Sequence, residues 1–229
     1  MSPGFPDNSR MDPPARLALF TSAVAAVASL GDRPGDHDPI SATGERLWER
    51  WREPHRGYHD IRHLDEVLAA VGQLGRGADP ALLAQALLAA CYHDAVYDPT
   101  RDDNESASAA LADAELAALG VPPDDAAAVA ALILETREHD LPPPHTPSAW
   151  LHDADLWILA APTGRFDEYC AQVRREYAAV PPDLYVRERG RILGALRDRP
   201  RLYASPLAYA EWEPHARANL RRELERLAG

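Results

Sequence analysis

The chain has 229 residues, 46% of them apolar, and a formal net charge of −12. That is enough apolar material for one domain with a packed core or for two small ones, and so acidic a balance offers no basic stripe for a nucleic acid. All 24 strong cations are arginine, which excludes lysine Schiff-base chemistry and a G-K-[ST] phosphate loop, although a small anionic substrate in a cleft stays open.

Residues 1–14 are rich in Pro, Gly, Ser and Asp and read as a tail without order. Residues 15–229 read as a single all-α domain, because β-branched alternation bounded by hairpin turns is nearly missing. The apolar run Leu17 to Leu30 is shorter than the ~20 residues that span a bilayer. With Met11 as a start and Arg16 ahead of it, the run has the outline of a secretory leader, but Asp7, Asp12 and a weak cleavage context favour an ordinary first helix. The expectation is a cytoplasmic protein with no membrane or nucleic-acid partner.

Helices are expected over 15–30, 41–53, 59–75, 80–95, 104–118, 123–137, 147–160, 165–178, 183–198 and 207–227. Pro and Gly punctuate most joints, and Ser41 and Asp79 read as N-caps. Cys91 and Cys170 make no disulfide framework, and Cys91 reads as a small buried hydrophobe. In the C-terminal third, i,i+4 ion pairs such as Glu213–Arg217 suggest amphipathic scaffold.

Three stretches place polar groups where the surroundings are apolar. The first is Y-H-D-I-R-H, with His59 and His63 four apart and so on one face of a helix. The second is C-Y-H-D-A-V-Y-D, where His93 and Asp94 close a strongly apolar helix and Asp98 lies one turn on. The third is D-A-D-L, where Asp155 sits within an apolar run and Asp153 points elsewhere around the helix. Burying such groups costs several kcal/mol, on the order of 2–7 even for a neutral polar group, unless they are paired or bound to a metal. Imidazoles and carboxylates converging from separate helices suit a divalent ion. Surface histidines, an aspartate C-cap and an internal Arg–Asp pair are the alternatives.

The order His, then His-Asp, then Asp on an all-α chain resembles the HD superfamily of metal-dependent phosphohydrolases. It is most similar to a bacterial branch of predicted metal-dependent HD phosphohydrolases. The stretches E-P-H-R-G-Y-H-D-I-R-H-L, C-Y-H-D-A-V-Y-D, D-N-E-S-A-S-A, L-I-L-E-T-R-E-H, D-A-D-L-W-I-L, R-R-E-Y and E-P-H-A-R-A-N-L carry the resemblance, from about residue 45 to 225. It implies an HD-domain-like helical bundle with additional C-terminal helices. Y-H-x-x-x-H also resembles the start of the cyclic-nucleotide phosphodiesterase site.

Carried over, the resemblance makes His59 the general acid and His63 the first metal ligand. His93, Asp94 and Asp155 complete the shell, with Asp153 in reserve. His139 faces a second metal or the substrate phosphate, and Glu105 holds a water. Asp94 or Asp98 can take a proton from the attacking water. Arg56, Arg62, Arg101 and Arg137 lie near the motifs and can clamp phosphate oxygens. The implied cofactor is a divalent ion, with Mn, Fe, Mg, Zn, Co and Ni all suited to such ligands. The implied reaction is hydrolysis of a small phosphoester, a nucleotide among the candidates. A nucleotide-sensing module without turnover and a di-iron oxygenase on the same scaffold are the competing readings.

Overall fold

The computed structural model describes residues 11–28 and 37–229. Among them the chain is all-α, in this order: α1 (Pro13–Ala28), α2 (His37–Arg50), α3 (Ile61–Leu74), α4 (Pro80–Tyr92), α5 (Asn104–Ala118), α6 (Pro123–Glu135), α7 (Pro147–Asp155), a 3-10 helix (Leu156–Ala160), α8 (Thr163–Glu176), α9 (Pro182–Asp198), α10 (Pro206–Glu211) and α11 (Glu213–Ala228).

Helix α4 is the axis of the fold and packs against α1, α3, α5, α6 and α7. Its sequence explains this. Ala84, Ala86, Ala89 and Ala90 are buried with Leu88, Cys91 and Tyr92, so small side chains let neighbours approach on several sides, as in a helix that is apolar all round. Asp79 starts the helix by accepting the N–H groups of Ala81 and Leu82, satisfying two of the orphan donors of a helix start.

The apolar run near the N-terminus forms α1 and contributes Phe20, Val24 and Val27 to the core. It also carries Arg16, which grips the Asp65 carboxylate of α3 with Nε at 2.8 Å and Nη2 at 3.0 Å. No helix among the described residues is long and apolar enough to cross a membrane. Residues 1–10 of the expected tail lie outside the described residues, whereas Pro13 and Pro14 already belong to α1.

The C-terminal helices attach through α11, which packs on the 3-10 helix and on α9. Asn219 of α11 donates to the Leu159 and Ala161 carbonyls at 2.8 and 2.9 Å, where the 3-10 helix ends and leaves acceptors unpaired. Glu213 and Arg217 form the expected i,i+4 pair, at 2.5 Å.

Among the helix boundaries that differ from those read in the sequence, four have a local reason. Asp60 accepts the N–H groups of Arg62 and His63 and so starts α3 after His59; His59 and His63 therefore do not share a helical face. Helix α4 ends at Tyr92, leaving His93 as its cap and Asp94 and Asp98 in the following turn, so the one-turn relation expected between these aspartates is absent. Ser41 lies inside α2 and is not its cap. The segment 207–227 is broken at Trp212, where a proline opens α11.

Candidate metal centre

The motif residues arrive from three helix ends. His63 stands in the first turn of α3, His93 and Asp94 follow the last turn of α4, and Asp155 is the last residue of α7. His63 Nε2 lies 3.2 Å from His93 Nε2 and 3.2 Å from Asp155 Oδ1, and His93 Nε2 lies 3.5 Å from the same oxygen. Asp94 Oδ2 flanks them, 3.4 Å from His93 Nε2 and 3.8 Å from His63 Nε2. His63, His93 and Asp155 thus offer one ligand atom each, all within 4.8 Å of one another.

These separations fit an ion. Two ligand atoms ~2.1 Å from one ion, at tetrahedral or octahedral angles, lie ~3.0–3.4 Å apart. The tautomer fits as well. His93 Nδ1 lies 2.9 Å from the Ala90 carbonyl; it donates there and leaves the Nε2 lone pair facing His63 and Asp155. Trp51 packs beside both rings, with centroids 6.2 Å from His63 and 5.4 Å from His93, and its Nε1 donates to the Cys91 carbonyl at 2.9 Å.

Charge at the cluster is strongly coupled. Burial opposes protonation of His93, but Asp94 and Asp155 outweigh it and push the imidazole up to about 9. Burial likewise opposes ionisation of Asp155, and His93 and His63 overcome it and hold the carboxyl well below its usual range. The carboxylates of Asp94 and Asp155 therefore gather positive charge on His93 even without an ion.

The other expected residues divide. His59 is beside the cluster, its ring centroid 5.6 Å from that of His63 and stacked on Tyr97 at 4.3 Å. His139 reaches the opposite oxygen of Asp155, with Nε2 3.6 Å from Oδ2. It adopts a left-handed backbone, φ 49°, its Nδ1 is buried without a hydrogen-bond partner, and burial lowers its pKa.

Arg56 does not offer itself to a substrate. Its side chain is fully buried, and all five N–H groups are taken: by Glu53 twice and by the His59, Asp94 and Ala95 carbonyls. It is a clamp between the loop before α3 and the turn after α4. Arg62 is tied to Glu168 at 2.6 Å and to Glu66 at 3.4 Å. Arg101 pairs with Asp103, and Arg137 with Glu138.

Asp98 is turned away, its Oδ1 accepting both the N–H and the hydroxyl of Thr100. Glu105, in the first turn of α5, makes no ion pair or hydrogen bond with the cluster. Asp153, the reserve ligand, is fully buried and accepts the Ala204 and Ser205 N–H groups at 2.7 Å each, with His152 Nδ1 at 3.0 Å. It anchors the segment before α10.

One residue of the centre goes unassigned in the sequence reading. Glu176, the last residue of α8, reaches back to the loop before α3. Its Oε1 accepts the N–H groups of Gly57, Tyr58 and His59 at 2.7–2.8 Å. Its Oε2 lies 2.8 Å from His59 Nδ1 and accepts the Tyr97 hydroxyl at 3.2 Å. Burial opposes its charge, but His59 and the N–H groups prevail and hold the carboxyl at about 2. Burial also opposes charge on His59, and the hydrogen bond to Glu176 outweighs it and raises the imidazole pKa. Gly57 permits the approach: a Cβ there would sit 2.5 Å from the Gln172 carbonyl oxygen and 2.8 Å from Glu176 Cγ. The available signal was spacing, since Glu176 continues the buried stripe Phe166, Tyr169, Cys170 and Val173.

Comparisons with protein-family models, curated proteins and solved structures find no match for the chain.

Proposed function

We propose that the protein is a metal-dependent phosphohydrolase of the HD type that acts on a small phosphoester, a nucleotide among the candidates. The observation that supports this most is the convergence of His63, His93 and Asp155 within ligand distance, with Asp94 beside them. Two neutral imidazoles and two carboxylates balance a divalent ion and leave positions for water and substrate. Such an ion supplies neutralising charge at a phosphoryl group and lowers the pKa of a bound water towards ~7.

His59 is the proton donor in this reading. Its Nδ1 is fixed by Glu176, so Nε2 is the nitrogen left to protonate a leaving alkoxide, and the raised pKa favours the protonated ring. Arg62 and His139 are the substrate contacts. Arg62 Nη2 has no acceptor among the described residues, and His139 stands on the open side of Asp155 with its side chain 26% exposed.

The competing oxygenase reading needs further histidine ligands. His152 is withdrawn from that role, because its ring nitrogens meet Asp153 and the His139 carbonyl.

Metal content by mass spectrometry on untagged protein, followed by a screen of phosphomonoesters and phosphodiesters for phosphate release, tests the proposal. About one divalent ion per chain and metal-dependent turnover is the expected result. No bound metal after reconstitution would overturn it, and nucleotide binding without turnover under every metal would replace it with a sensing role.

A further inference from the structure

Arg189 differs from several other buried or half-buried arginines in what faces it. Arg16 has Asp65, Arg56 has Glu53 and Arg165 has Glu66. Arg174, Arg199 and Arg201 donate to backbone carbonyls. Arg189 of α9 has one partner among the described residues, the Tyr169 hydroxyl, to which Nη2 donates at 2.5 Å. Among the described residues its Nε is buried with no acceptor, its Nη1 makes no hydrogen bond, and no carboxylate lies within ion-pair distance. The adjacent Glu188 is turned to Arg187 and Arg191. A guanidinium nitrogen withdrawn from water without an acceptor is costly.

The same arginine lines a cavity of about 330 Å³ between α8 and α9, walled by Val173, Tyr177, Leu184, Tyr185 and Ile192, with Glu188 also in the lining. That volume is at the lower end of small-ligand pockets, ~300–1,000 Å³. Leu184 and Ile192 are 37% and 44% exposed, so largely apolar walls stand open to solvent around Arg189, and the Glu188 carboxylate of the same lining is held by Arg187 and Arg191. The cavity shares no residue with the metal cluster, yet it touches it through rings. Tyr169, bonded to Arg189, packs on Tyr58 at 4.6 Å, and Tyr58 packs on His63 at 4.7 Å.

We propose that the α8–α9 cavity is a binding site for a small organic anion with an apolar body, its carboxylate or phosphate head taken by Arg189 and its body by Val173, Tyr177, Leu184 and Ile192. The head supplies the counter-charge that the fold withholds, and the body covers the exposed apolar walls. The site stands on the cavity and on Arg189, and holds whether or not the metal cluster hydrolyses phosphoesters.

The probes are 1-naphthoate, 1-naphthyl phosphate and neutral 1-naphthalenemethanol, titrated into the full-length protein by calorimetry without metal. The two anions should bind at least tenfold more tightly than the alcohol, and the tighter of the two identifies the head group. Arg189→Gln should erase that preference and leave the weak binding of the alcohol. Ile192→Asp, at an exposed position where folding is not at stake, should weaken both anions at least tenfold by placing a carboxylate across from the bound head. Equal affinity for anions and alcohol, or unchanged anion binding in Ile192→Asp, would overturn the proposal. So would sedimentation showing that a second copy of the chain fills the cavity and excludes the probes.

Discussion

Glu176 holds His59 at two points: its Oε1 accepts the His59 backbone N–H at 2.8 Å, and its Oε2 meets the imidazole Nδ1 at 2.8 Å. One carboxylate therefore fixes both the place of the backbone and the tautomer of the ring. If His59 is the acid, Glu176→Gln should cut kcat by about 10- to 100-fold on alkyl phosphoesters and much less on aryl ones, which leave without a proton. It should also move the alkaline limb of the pH profile to lower pH, because the hydrogen bond that raises the imidazole pKa is weakened. Equal losses on both substrate classes, with an unmoved limb, would point to a purely structural Glu176.

The same group predicts acid sensitivity. The carboxyl lies at about 2 in the fold against 4.5 for an ordinary glutamate, so its contribution is complete above pH ~4.5 and is lost as the pH falls towards ~2. A depression of this size corresponds to about 3 kcal/mol. Denaturant unfolding from pH 7 to pH 3 should show this loss, and Glu176→Gln should flatten it. A mutant as acid-sensitive as the parent would contradict the assignment.

Asp153 and Asp155 are two residues apart and have opposite duties. Asp155→Asn should abolish tight metal binding and, in the metal-free protein, lose only the pairing with the His63 and His93 imidazoles. Asp153→Asn should instead lower stability by about 2–4 kcal/mol, because an amide cannot accept two backbone N–H groups and the His152 ring as the carboxylate does. Metal analysis beside thermal melting separates the two. Loss of metal in Asp153→Asn at a temperature where it remains folded would reverse the assignment.

Arg56 sits among the motif residues but belongs to the frame. Arg56→Lys leaves at most three of its five hydrogen bonds and strands buried carbonyls, so it should cost about 2–4 kcal/mol. If Arg56 bound phosphate, the substitution would raise KM while stability held, and that pattern is the outcome to look for.

What the sequence made legible was the set of helices and the side chains too polar for their surroundings. His63, His93 and Asp155 stood out because each interrupts an apolar run. The helix ends were less legible, and the site is built at helix ends. Asp60 takes the cap of α3, which moves His59 into the preceding loop, and α4 stops before His93 and Asp94. Proximity in sequence also misled for Arg56, whose five donors are spent on backbone and Glu53 from nearby segments. Glu176 stayed hidden for the opposite reason. Its contacts are with residues 79 to 119 positions away, and such pairing is fixed by tertiary packing, which no local pattern encodes.

Metal binding should depend on pH in a defined sense. Without an ion, Asp94 and Asp155 push His93 up to about 9, so at neutral pH an incoming ion has to displace a proton from this imidazole. Apparent affinity should therefore rise by about tenfold per pH unit between pH ~7 and ~9 and level off above. Asp155, held well below the usual carboxylate range, stays charged across that window and adds no slope of its own. Titration of the metal-free protein with Mn or Zn in buffers of different ionisation enthalpy reads both quantities, and close to one proton should be released per ion near pH 7. Asp94→Asn removes one of the two carboxylates that raise His93, so the levelling point should move to lower pH as affinity drops. An affinity independent of pH from 7 to 9, with no proton released, would mean that the ion does not bind at the His63–His93 nitrogens.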